Sequence, residues 1–172
     1  MTTDGIYAGK YIIPCTAQLA FDVGENLRWE DKREVEQTSG LSATAAVVES
    51  FYCSAYSVFF TVPNGKAAGV AGVTPDNRIW MLCTQASEEY PHTFVREARR
   101  WINSLPEKYL WNHADMRNES HIKLLKLLGF TFLKYYTYNG VPLIQFMKLC
   151  ATPYQQPSQS VALSGLVGRC KL

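Results

Sequence analysis

A chain of 172 residues that is 47% hydrophobic and 13% aromatic is long enough to bury one sizeable core and too short to suggest two. Its 17 Lys+Arg against 15 Asp+Glu leave a formal net charge of +2, too little for bulk electrostatics to hold nucleic acid or an anionic membrane. No apolar run approaches the roughly 20 residues that span a bilayer, and five scattered cysteines, with no C-x-x-C and no His at ligand spacing, point to inert thiols in a reducing compartment.

The first apolar run, "YIIPCTAQLAF", is broken by Pro14 and Gln18 and has no basic leader, which makes it a poor signal peptide. From Thr16 to Gln37 the chain is charged, with Leu19, Val23, Leu27 and Val35 at roughly helical intervals interrupted by Gly24, as one broken helix or two short ones would be. Gly40 stops it, and Ser42 caps a second, Ala-rich helix that ends near Phe51. After Ser57, two apolar runs joined by Asn64-Gly65 predict a hairpin with a type I′ turn. Pro75-Asp76-Asn77 turns the chain again into a strand over 78–84, apolar enough to be covered on both faces.

Phe94, Val95, Ala98, Trp101 and Ile102 then form one helical stripe, with Pro91 in the first turn and Arg96, Arg99 and Arg100 off the stripe on a solvated face. "YLWNHAD" reads as a short strand. In the helix that follows, Ile122, Leu124, Leu125 and Leu128 face inward, Lys123 and Lys126 face water, and Gly129 ends it. "TFLKYYTYNGVPLIQFMKL" repeats the hairpin signal at Asn139-Gly140. The order predicts a single α/β or α+β domain over 16–150, a mixed sheet with helices on both faces, after an N-terminal segment 1–15 and before a tail at 151–172.

That order, with the spacing of Asn118 and Gly129-Phe130, resembles the GNAT (Gcn5-related N-acetyltransferase) fold. The stretches "LRWEDKREVEQTSGLSATAAV" (27–47), "FVREARRWI" (94–102) and "WNHADMRNESHIKLLKLLGFTF" (111–132) resemble short-tailed phage proteins of GNAT-like fold, usually named internal virion proteins. The resemblance covers roughly Gln18 to Leu149.

A GNAT enzyme cradles the coenzyme pyrophosphate in a Q/R-x-x-G-x-G/A loop whose glycines bring backbone amides onto the phosphates. Here the loop reads "QASEEYP": Glu88 and Tyr90 stand in place of glycines, and Glu88-Glu89 read as first-turn acids that complement a helix dipole. The position of the thiolate-protonating Tyr of many such enzymes is Leu125, which donates no proton. His121, in place of the usual small residue, reads as a surface or capping histidine with no orienting carboxylate at helical spacing; a base oriented by Glu119 or by a remote acid is the alternative. His92 and His113 are isolated, and Asp115 and Glu119 read as a loop acid and a first-turn acid. No catalytic, cofactor-binding or metal-ligating residue is expected, and no cofactor.

The resemblance implies a catalytically silent GNAT-like building block or assembly protein at the portal vertex or inside a short-tailed phage particle, made in the host cytoplasm. Its partners would be portal or internal core proteins or copies of itself, with no membrane. Two other readings stand beside it: a divergent acyl-CoA-dependent N-acetyltransferase, and a module touching packaged DNA through Arg96, Arg99 and Arg100. In the tail, "ATPYQQPSQS" is polar and interrupted by proline, a tether rather than an element. Beyond it lies an apolar end. With Tyr154, residues Val161, Leu163, Leu166, Val167 and Leu172 are expected to dock on another subunit, a copy of the chain or a portal-proximal protein; a frayed terminus is the alternative.

Overall fold

The computed structural model describes residues 9–150; the tail residues Tyr154, Val161, Leu163, Leu166, Val167 and Leu172 lie outside them. Strand β1 (Ile12–Pro14) opens the fold, followed by helices α1 (Ala17–Glu25), α2 (Trp29–Ser39) and α3 (Ala43–Cys53). Next come β2 (Tyr56–Thr61), β3 (Ala67–Val73), β4 (Ile79–Cys83), the single turn α4 (Ala86–Glu89) and α5 (Pro91–Ser104). β5 (Tyr109–Asp115), α6 (Glu119–Leu127), β6 (Thr131–Tyr138) and β7 (Val141–Leu149) complete it. β1 is a strand that the sequence reading leaves unassigned. It is three residues long and sits at a sheet edge, where a proline is tolerated and no period can show.

The strands form two antiparallel sheets, in the orders β1-β2-β3-β4 and β5-β7-β6. They meet at one parallel bridge, Arg78 with Trp111, and Asn112 Nδ2 adds a bond to the Ile79 carbonyl at 2.7 Å. Helices lie on both faces. Ala20, Val23 and Val47 of α1 and α3 pack on Phe59, Val70 and Leu82, whereas α5 and α6 bury Phe94, Trp101, Ile102, Leu125 and Leu128 against Phe60, Val73, Ile79 and Phe146. Trp101 and Phe94 both meet the Phe60 ring edge-on, with centroids at 6.0 and 5.5 Å.

Local signals explain most boundaries. Thr16 and Ser42 accept the Leu19 and Ala45 amides as N-caps of α1 and α3, and Gly40 (φ 72) ends α2 in the left-handed region. The two Asn-Gly turns differ. At Asn139 (φ 48) and Gly140 (φ 75) both centres have positive φ and Tyr138 faces Val141, the type I′ geometry expected. At the first hairpin Gly65 alone is positive (φ 81), and its amide donates to the Val62 carbonyl at 2.8 Å. Pro63, with φ fixed near −65°, takes the first central position of an ordinary turn, and Gly65 becomes the bulge residue of a longer loop.

Gly24 also departs from expectation. It does not interrupt α1 but lies inside it, buried, where α3 crosses: a Cβ there would stand 2.7 Å from the Thr44 Cα. Gly24→Ala, favourable by helix propensity, is therefore expected to destabilise the domain by about 1–2 kcal/mol through overpacking against backbone. An unchanged or raised midpoint in urea unfolding would show that α1 and α3 can move apart freely.

Candidate functional site

The two sheets diverge beyond the Arg78–Trp111 bridge, and the ends of β4 and β5 are joined there by side chains rather than by strand pairing. Leu27 bridges Thr84, and the Arg28 amide donates to the Cys83 carbonyl at 3.0 Å, so the segment entering α2 runs beside the end of β4. One helical turn later, Asp31 Oδ2 accepts the Cys83 amide at 2.7 Å. Its other oxygen takes Arg28 at 3.0 Å and Asn118 Nδ2 at 2.8 Å. Arg28 continues to Glu88 at 3.0 Å. Arg28, Asp31 and Asn118 are all buried, at 6%, 2% and 0% exposure, so the contacts of Asp31 are shielded from water, whereas Glu88 is half open to it.

Glu34 extends the network to β5 and α6. Its carboxylate accepts the Asp115 amide and Asn118 Nδ2, each at 3.1 Å, and lies 3.6 Å from His121 Nδ1. Asn118 Oδ1 caps α6 by accepting the His121 amide at 3.1 Å. Burial works against the charge on Glu34, but the hydrogen bond and charge of His121, with the Asp115 and Asn118 donors, outweigh it and hold its pKa below the ordinary 4.5. Burial likewise opposes the imidazolium, and the Glu34 bond and charge raise the His121 pKa above 6.5. His121 is thus oriented by a carboxylate 87 residues away, and Asn118 is a helix cap tied to α2. The surface reading of His121 is thereby corrected, and the remote acid that stood as its alternative is Glu34.

The loop after β4 has few amides to offer an anion. The Thr84 amide donates to Ala68, Ala86 to Thr84 Oγ1, Ser87 to the Thr84 carbonyl and Glu88 to the Gln85 carbonyl, at 3.0–3.2 Å. Glu88 and Glu89 do more than complement a helix end. Glu88 pairs with Arg28, and Glu89 with Lys66 at 3.1 Å, so each ties α4 to another element. Burial would raise the Glu88 pKa, but bonds from Ser120 and Gln85 and the Arg28 charge keep it low. Cys83 is no nucleophile, since burial, with Asp31 nearby, pushes its thiol up to about 12.

Other candidates are dispersed. Leu125 is buried at 4% exposure under the diverging sheets. His113 stacks edge-on between Trp111 and Tyr136, and burial with the Arg78 charge lowers its pKa. Asp115 ends β5 and is held by Arg117 at 2.6 Å, while Glu119 is exposed in the first turn of α6. Arg96 and Arg100 lie on the solvated face of α5, and Arg99 donates to the Leu127 carbonyl at 2.7 Å. Among the described residues no three His, Cys, Asp or Glu side chains converge as metal ligands, and no helix is long and apolar enough to cross a membrane. Beside the network, a groove of about 1020 Å³ opens between α2, α3 and the diverging strands.

Residues 52–137, half of the chain, match the model of the family described as bacteriophage T7, probable scaffold protein Gp13. The chain belongs to this family. No curated protein matches it in sequence. Among solved structures it is similar to the spermidine N-acetyltransferase of Vibrio cholerae in complex with CoA and spermine, with 8% identity, a TM-score of 0.56, and 80% of this chain and 94% of that one covered. An N-acetyltransferase from Staphylococcus aureus Mu50 gives 15% and 0.55 over 80% and 99%. A GNAT-family acetyltransferase from Streptococcus pneumoniae gives 14% and 0.54 over 81% and 98%. At such identities the likeness is one of fold. A phage scaffold-protein family member therefore carries the GNAT acetyltransferase fold over most of its length.

Proposed function

We propose that this chain is a non-catalytic structural or assembly protein of a short-tailed phage particle, working at the portal vertex or in the internal core through contacts with other virion proteins or copies of itself. The family match supports the phage role. One observation carries the non-catalytic part: where the fold would receive a coenzyme, the chain's own Asp31 holds the Cys83 amide and the next loop turns its amides inward. An incoming diphosphate would have to displace a buried carboxylate and face Glu88 and Glu89, which electrostatics oppose.

The test is binding followed by chemistry. A ligand specific for the folded state adds about 2.7 kcal/mol at 100 times its Kd, a shift of several degrees for a domain this size. Millimolar acetyl-CoA is expected to leave the Tm of the purified chain unchanged. A clear shift with acetyl transfer to an amine would establish the acyltransferase reading instead. Leu125→Tyr, which puts a phenol where the resemblance places a general acid, is expected to create no turnover, because the phosphate cradle is missing too. Mass spectrometry of mature particles beside their precursors tests the assembly role; absence from both would overturn it.

A further inference from the structure

We propose that the groove between α2, α3 and the diverging sheets is filled by the apolar end of the same chain's own tail, residues 161–172. The groove volume, about 1020 Å³, is at the upper end for ligand pockets and ample for a peptide segment. Its walls include Val35, Leu41, Trp80, Leu82, Tyr136 and Leu143. Tyr138 at the rim is 51% exposed, and Leu41 37%. An apolar concavity of this kind is a surface that water covers poorly.

Three observations select the occupant. The first is where the described chain ends. The Cys150 amide donates to the Lys108 carbonyl and Leu149 faces Tyr109, so the remaining 22 residues start beside the first residue of β5. His113, in the groove wall, lies four residues further along that strand, about 14 Å at strand rise.

The second is length. The ten residues of "ATPYQQPSQS" reach at most about 35 Å, which spans that distance with slack before Val161 begins the apolar stretch. A short tether of this kind gives an effective concentration on the order of 1 mM, so an intrinsic Kd of about 0.1 mM fills the groove roughly ten to one. A neighbouring copy in dilute solution cannot match that.

The third is charge. The groove is lined by Glu34, Glu49 and Asp76 against a single guanidinium, Arg78. Glu34 and Asp76 are paired with His121 and Arg78, whereas Glu49 has no ion pair among the described residues. The tail carries Arg169 and Lys171 and no acidic side chain. Apolar side chains enter the groove and a cation meets Glu49.

Cys53 lines the groove and Cys170 lies in the tail, which provides a direct test on the full chain. Treatment with a short-spacer bismaleimide, followed by peptide mass spectrometry, is expected to give a Cys53–Cys170 link within a species of monomer size. Leu166→Asp should reduce its yield at least tenfold. Glu49→Lys should reduce it severalfold, and adding Arg169→Glu and Lys171→Glu to that variant should restore it. No link, a link only in species of dimer size, or a yield indifferent to these changes would overturn the proposal; the dimer result would place the tail on a neighbouring copy. Since acetyl-CoA takes no part in the test, its outcome is separate from that of the non-catalytic reading.

Discussion

Asp31→Ala is expected to destabilise the domain by about 3–5 kcal/mol, the range for removing one partner of a buried ion pair. The size follows from what the carboxylate holds. Asp31 is 2% exposed and accepts the Cys83 amide, the Arg28 guanidinium and the Asn118 amide group. Alanine would leave a buried backbone donor, a buried charge and a buried side-chain donor without that acceptor, each deprived of water as well. Arg28 keeps Glu88 and Asn118 keeps Glu34, which sets the loss below the sum of three orphaned groups. Thermal unfolding should register it as a fall in Tm of about 10 °C or more. A loss under about 1 kcal/mol would mean that water enters the junction, and the claim that the site is closed by the protein's own carboxylate would fall with it. Asp31→Asn offers a finer test, since it keeps one acceptor oxygen for Cys83 but cannot balance Arg28.

What the sequence discloses and what it hides divide along the distance between partners. Ser42, Gly40, Pro91 and Asn139-Gly140 act on backbone within a few residues, and each stands where its local chemistry puts it. The stripes of α5 and α6 are likewise legible, because a buried face repeats at helical spacing whatever it packs against. Asn64-Gly65 carries the same two letters as the second hairpin, yet Pro63 before it changes the turn. The junction was not legible. Asp31 and Glu34 belong to "RWEDKREVEQ", a run that reads as a solvated helix face, and their partner Asn118 is more than eighty residues away. Only the acids' position on α2, one turn apart, hints that they share a direction. The departures from the enzyme pattern at Glu88 and Leu125 were visible because they occupy named positions in a resemblance. What fills the vacated space was not.

The pair His121–Glu34 should make stability depend on pH in a way that identifies it. His121 has its folded pKa raised above 6.5, so its contribution is complete below about that pH and is lost as pH rises through the folded value. Glu34 has its folded pKa lowered below 4.5, so its contribution is present above 4.5 and is lost as pH falls through the folded value. Between those limits both members are charged, and the pair contributes most. The acid limb is shared with Asp76, Glu88 and Asp115, whose pKa values are also lowered, and is no signature. His113 falls on that side too: its pKa is lowered, so what it adds is present above its unfolded pKa and lost as pH falls. The alkaline limb near neutrality therefore belongs to His121. Glu34→Gln is expected to abolish it and to cost about 2–4 kcal/mol near pH 6. Both Glu34 oxygens accept hydrogen bonds, and a carboxamide would turn its NH2 against either the Asp115 amide or the Asn118 and His121 donors. His121→Gln should abolish the same limb with a smaller loss, because the Asn118 cap and both other donors to Glu34 remain. The check is urea unfolding from pH 5 to pH 8.5 for the three proteins. If the Glu34→Gln profile keeps the wild-type decline above neutrality, the titrating group is elsewhere and the pair is not coupled to folding.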